Sequence, residues 1–199
     1  MGDRLIIDAI YRMGTVFRDF DLSGFWAVDD EYAQENYVGE PTTDEEIAGV
    51  ERELGYKLPA SYVALLRLQN GGCPVKTCFP MEVPTSSGDD FVEIDGLMGT
   101  DRRKEWSFCG AAGNRYMIDE WGYPEIGVMI WSDGHTALFL DYRACGPQGE
   151  PEVVFVDMEG DDEEGEIVPL APNFEAFVRG LVDDDQFYGA DEEEDEEDE

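Results

Sequence analysis

His135 is the sole histidine of the chain, so any chemistry that needs an imidazole must use it. It sits in Ser132-Asp133-Gly134-His135, a run with strong turn character, and Cys145 lies ten residues further on, across a strand. A Cys–His nucleophile pair is available in principle. A histidine in a surface turn is the plainer reading, and the chain is expected to be non-catalytic. None of the four cysteines, Cys73, Cys78, Cys109 and Cys145, forms a C-x-x-C pair, and one histidine leaves no zinc-finger spacing. Asp157-Met158-Glu159-Gly160-Asp161-Asp162-Glu163-Glu164 superficially resembles a calcium loop but lacks the D-x-D-x-D-G order with a closing glutamate. Weak cation binding and a solvated charge run both account for it, and the second is preferred. Asn70-Gly71-Gly72 matches neither glycine-rich phosphate loop, and its expected work is to end a helix. No cofactor is expected.

Charge is the dominant compositional signal. Asp and Glu number 48 against 13 Lys and Arg, a formal net charge of −35. The run Asp191 to Glu199 is wholly acidic, and Asp183, Asp184 and Asp185 add three more; removing these twelve from the 48 still leaves 36 acids against 13 bases. Nucleic acid is thereby disfavoured as a direct ligand, because phosphate contacts need Lys and Arg. An anionic membrane surface is disfavoured for the same reason. A basic protein would be attracted and steered. Solubility alone explains the charge equally well, and both readings stand. No signal-peptide pattern and no membrane-length apolar stretch is seen, so reduced thiols in a cytoplasmic protein are expected.

Stepping along the chain, Leu5, Ile6, Ala9, Ile10, Met13, Phe17 and Phe20 recur every three or four residues and predict an amphipathic helix over 3–20. Residues 21–41 show no period and read as a long, aromatic-rich connection. Thr42-Thr43-Asp44-Glu45-Glu46 offers a capping box to a helix carrying Ile47, Val50 and Leu54, with Gly55 placed to end it. Pro59 opens a second helix with Tyr62, Leu65 and Leu66. The period then changes. Strands are expected over 75–80, 91–98, 126–131, 136–142 and 152–157, the last as a central strand, with a short edge strand over 167–171. Asn173 caps a closing helix containing Phe174, Phe177, Val178 and Leu181. Helices, then an antiparallel meander, then a helix make an α+β domain. The expected organisation is an N-terminal helix and aromatic loop over 1–41 packed on the domain, one domain over 42–182, and a disordered acidic tail over 183–199.

Three blocks carry a family resemblance. Ile47 to Gly72 runs through Leu58-Pro59, Tyr62, a leucine pair and Asn70-Gly71-Gly72; Gly127 to Tyr142 holds Gly134 and Leu140-Asp141; Gly149 to Leu181 joins a valine-rich strand to the Phe174 and Phe177 helix. In order and spacing they resemble the SMI1/KNR4 (SUKH) family over roughly residues 43 to 182. The resemblance implies a non-enzymatic α+β domain that binds proteins. Similar bacterial proteins are immunity proteins that neutralise polymorphic toxins, often nucleases or deaminases, and related fungal domains serve in regulation of cell-wall synthesis and signalling. No catalytic residue can be carried over. The expectation is therefore an immunity protein whose carboxylates take the place of a substrate's phosphates in a basic toxin cleft, with an intracellular regulatory or scaffold module as the alternative. The expected patch is Asp119, Glu120, Trp121, Asp133 and Asp157, with Asp161, Asp162, Glu163 and Glu164 on the neighbouring loop. Trp26, Tyr32, Tyr37, Trp106 and Tyr123 suit either a binding hot spot or core packing under long loops.

Overall fold

The computed structural model describes residues 16–159 and 165–188. Helix α1 spans Glu31–Asn36, α2 Asp44–Leu54 and α3 Ala60–Leu68. Strands β1 (Cys78–Pro80) and β2 (Phe91–Glu93) follow, then α4 (Asn114–Trp121). The meander is β3 (Gly127–Ser132), β4 (Thr136–Asp141), β5 (Glu152–Asp157) and β6 (Glu166–Ala171), closed by α5 (Phe174–Gly180) and a short α6 (Asp185–Tyr188).

The four-stranded sheet has the order β3-β4-β5-β6 and is antiparallel throughout, with Val128 opposite Leu140, Leu138 opposite Phe155 and Val156 opposite Ile167. Every residue of β3 and all but the first of β4 and β5 are buried, so both faces of this sheet are covered. That is why β5 reads as a continuous Val-Val-Phe-Val run instead of alternating. β6 is an edge strand, and it tolerates Pro169, which has no N–H to give a further strand. β1 and β2 form a separate antiparallel pair. The aromatic core links helices to one another: the Tyr62 and Phe174 rings lie 4.4 Å apart, and Tyr62 Oη donates to the Met98 carbonyl at 2.9 Å.

Local signals act as expected at several joints. Thr43 and Glu46 form the reciprocal capping box of α2, and Gly55 ends that helix at φ 82°. Asn173 Oδ1 accepts from Ala176 N–H to start α5. The Asp141 carboxylate, buried at the end of β4, accepts from the Arg143 N–H and guanidinium. It thus turns the chain out of the sheet.

Other expectations need correction. Residues 1–15, most of the proposed first helix, lie outside the described residues. Its last turn is not helical: Phe17 and Asp19 take φ of 54° and 59°. Phe17 is drawn into the core, and its N–H donates to Glu175 Oε1 at 2.9 Å, so burial of one aromatic overrides the helical period. The connection over 21–41 contains α1, capped by Asp30. The strand expected over 91–98 ends at Glu93, and Leu97 only bridges to Gly72. Helix α4 was not anticipated. It has no side-chain N-cap and buries only Asn114 and Met117, which leaves little periodic signal. Past residue 182 the chain continues as α6: the Phe187 ring stacks on Phe91 at 4.2 Å and Tyr188 Oη donates to Glu93 Oε2 at 2.9 Å. Residues 189–199 lie outside the described residues.

Candidate functional site

β2, the turn joining β3 to β4, the loop over 84–89 and the end of α6 enclose an open cleft of about 620 Å³. Its acidic lining is Asp30, Asp89, Glu93, Asp95, Asp133 and Glu159, and no lysine or arginine lines it. His135 is the one basic side chain there, with Nδ1 3.7 Å from Glu159. Phe91, Trp131 and Tyr188 supply aromatic wall.

The sequence explains how these carboxylates come to share one space. Along Phe91-Val92-Glu93-Ile94-Asp95, Val92 and Ile94 are buried while Glu93 and Asp95 are exposed, the period-2 alternation of an extended segment with one face on the core. Asp95 is held from behind. Its Oδ1 accepts from Tyr37 Oη at 2.8 Å and from Trp131 Nε1 at 2.6 Å. Both donors are buried, Tyr37 fully. Asp133 is fixed by its own turn, with Oδ1 accepting from the N–H groups of His135 and Thr136. Asp30 is fixed by capping α1.

Neighbouring groups register the negative field. The Cys73 thiol in the cleft wall is pushed up to about 12, first by burial and then by Asp30, with Asp95 and Glu93 adding to it. Tyr37 is pushed up by burial and by Asp95. A thiol held this high is protonated at neutral pH, the opposite of an activated nucleophile. His135 and Cys145 do not meet: they flank β4, whose six residues put roughly 20 Å between its ends. Among the described residues no group of three or more His, Cys, Asp or Glu is arranged to hold a metal ion.

The residues of the expected patch separate. Asp133 lies on the cleft rim. Trp121, half exposed at the end of α4, packs beside the same turn, where a Cβ on Gly134 would lie 3.6 Å from its ring. Asp119 and Glu120 are exposed on α4, and Asp119 pairs with Arg115 at 2.7 Å. These three stand on one helix, at its C-terminal end. Asp157 is a correction: it is 2 % exposed and offers nothing to a partner. Its Oδ2 accepts from Ser86 N–H and its Oδ1 from Glu159 N–H, both at 2.9 Å, so it ties the 84–89 loop to the sheet beneath the rim. Asp161, Asp162, Glu163 and Glu164 lie outside the described residues. Of the aromatics, Tyr37 and Tyr123 are core, while Tyr32 and Trp121 are exposed. Sequence reasoning missed Asp30, Asp89, Glu93, Asp95 and Tyr188. The alternation in Phe-Val-Glu-Ile-Asp was the available signal for the middle pair.

The family-motif residues do structural work. Leu58, Tyr62, Leu140, Phe174 and Phe177 are core, Pro59 starts α3, and Asn70 with Gly71 and Gly72 makes the crossing behind it. The family model described as SMI1 / KNR4 family (SUKH-1) matches residues 41–180. The chain belongs to the SMI1/KNR4 family. Searches of curated proteins and of solved structures return no match. As a SUKH-1 domain the chain has an immunity- or SMI1-type protein-binding role, in a family whose domains are in general non-catalytic. The SUKH-1 match ends at residue 180, before α6, whose Tyr188 lines one side of the cleft.

Proposed function

We propose that this SUKH-1 protein is an immunity protein that captures a basic toxin domain, of nuclease or deaminase type, and occludes its active cleft. The observation that carries the reading is the 620 Å³ cleft with six carboxylates and no lysine or arginine in its lining. A protein that grips phosphates presents a ring of Lys and Arg, and fixed carboxylates are the complementary surface. The aromatic walls supply apolar contact area that slows dissociation, and the exposed Trp121 beside the Gly134 turn extends that area outside the cleft. Asp119 and Glu120 flank it. The proposed setting is the cytoplasm, where the four thiols, all free in the structure, stay reduced.

The test begins at the adjacent gene, where a large secreted protein with a variable C-terminal domain is expected, and continues with co-expression of that domain. Rescue of growth together with a stable complex is expected. Growth arrest despite soluble protein, with no complex at micromolar concentration, would favour the other SMI1-type role, a regulatory or scaffold module without a toxin partner.

A further inference from the structure

We infer that α6 is a lid on the cleft: it hinges at Asp183 and Asp184, covers the Phe91 ring in the free protein and swings aside when a partner enters. What the lid regulates rests on the capture reading above, and its motion rests on the structure.

Main-chain anchoring of this stretch ends at Val182. The Val182 N–H donates to the Cys78 carbonyl at 2.8 Å, and the Val182 carbonyl accepts from the Cys78 N–H at 3.2 Å. Beyond that pivot, the N–H groups of Gln186, Phe187 and Tyr188 donate to the Asp183 and Asp184 carbonyls, within the stretch itself. Side chains alone dock α6 on the body among the described residues. Phe187 stacks on Phe91 at 4.2 Å, Tyr188 meets the same ring edge-on at 5.6 Å, and Tyr188 Oη donates to Glu93 Oε2 at 2.9 Å. No residue of α6 is buried, and Tyr188 is more than half exposed. A single helical turn does not hold itself together once undocked. Shallow contacts beyond a firm pivot are the pattern of a locally unstable segment.

Phe91 has two uses that exclude each other. It lines the cleft, and it is the platform on which the lid closes. A bare aromatic ring is an anchor for a partner and a liability without one. Charge works against closure. Asp184 and Asp185 begin the lid, and Asp89 and Glu93 lie on the cleft side. The Tyr188 hydroxyl is pushed up to about 12, first by its bond to Glu93 and then by burial, with the charges of Glu93 and Asp89 adding to it. It therefore stays a donor at neutral pH. Lys76 pairs with Asp183 at 3.4 Å, which steadies the hinge and not the swinging part. Salt screens the repulsion and leaves ring stacking intact, so the lid closes further as ionic strength rises.

The experiment replaces Tyr188 of the full chain with 3-fluorotyrosine and follows its fluorine-19 signal. F91A removes the platform and supplies the open-lid reference; F187A, which removes the stacked ring, is the second reference if circular dichroism shows F91A to be misfolded. The wild-type signal should move toward the reference position as sodium chloride falls from about 0.5 M to about 0.02 M, while the reference signal stays still. A wild-type signal that ignores salt, or that coincides with both references at every salt, overturns the lid. F187A removes no charge, so its association rate reports the lid separately from steering. It should associate with the proposed toxin partner at least about threefold faster than wild type. Unchanged association with faster release would make α6 a fixed part of the binding surface and would also overturn the lid. If the fluorine signal responds and no toxin domain binds, the hinged lid stands and the capture reading fails. If a toxin domain binds while the signal stays fixed, the lid fails and the capture reading stands.

Discussion

Asn70 and Thr100 lock two distant stretches of chain together: Asn70 Oδ1 accepts from the Thr100 N–H at 2.8 Å and from its hydroxyl at 3.0 Å. The same amide donates from Nδ2 to the Glu40 carbonyl at 2.7 Å. One buried side chain thus satisfies backbone groups from the stretch before α2 and from the stretch after β2. Asn70→Ala leaves those groups unpaired in the interior and is expected to cost about 2–4 kcal/mol. Asn70→Asp should also destabilise, because a carboxylate has no donor for Glu40. Urea denaturation of both variants measures this, and a loss below about 1 kcal/mol in either would refute the locking role.

Gly71 and Gly88 both have positive φ, at 84° and 95°, yet alanine should not be equal at the two sites. At Gly88 a Cβ meets nothing within 4 Å, so only backbone strain of about 1 kcal/mol is expected. At Gly71 a Cβ would sit 2.7 Å from the Tyr37 carbonyl oxygen and 2.9 Å from the Gly99 nitrogen. Gly71→Ala must therefore push Tyr37, which holds Asp95, and should cost about 3 kcal/mol or more. Thermal unfolding of the pair should separate them by several degrees. Equal melting temperatures would contradict the close approach.

The contrast shows which parts of the molecule were legible in advance. The meander, the α2 capping box, the Gly55 stop and the Asn173 cap follow from contacts within a few residues, and such signals survive folding. α4 was hidden because it lies flat with two buried residues and no N-terminal side-chain cap. The last turn of the helix expected over 3–20 is not helical because a long-range contact, Phe17 with Glu175, outweighed the local period there. The cleft was half legible. The excess of carboxylates was plain in the composition, and Asp133 was placed by its turn. Asp157 was misassigned because sequence does not say whether a carboxylate faces water or a backbone N–H. Asp30 and Tyr188 come to the cleft from opposite ends of the chain, and no local pattern joins them.

Asp157 yields a prediction in pH. Burial raises its pKa, but the hydrogen bonds from Ser86 and Glu159 outweigh burial and hold it below the ordinary carboxylate value. The folded state therefore binds this proton more weakly than the unfolded chain. The carboxylate contributes stability above the unfolded pKa of about 4, and that contribution is lost as pH falls through the folded value. Asp157→Asn should destabilise by about 1–2 kcal/mol at pH 7, by losing charge-assisted bonds to two N–H groups. The gap between variant and wild type should close as pH falls below about 4. Denaturant titrations at several pH values test this, and a gap that widens on acidification would reverse the assignment.

Association with the proposed toxin partner should divide along the same line between cleft surface and cleft support. Asp133, Glu93 and Asp95 face the cleft, so E93Q/D95N/D133N removes three charges from the approach path. Steering by such charges acts on the association rate and is screened over about 10 Å at 0.1 M salt. The wild-type association rate should drop at least about tenfold between about 0.02 M and about 0.5 M sodium chloride, and the triple variant should start lower and respond less. Asp157→Asn, buried beneath the rim, should leave the association rate within about twofold of wild type while its stability falls. Stopped-flow mixing separates these cases. A salt-independent association rate, or a triple variant that associates as fast as wild type at low salt, would remove the cleft from the encounter.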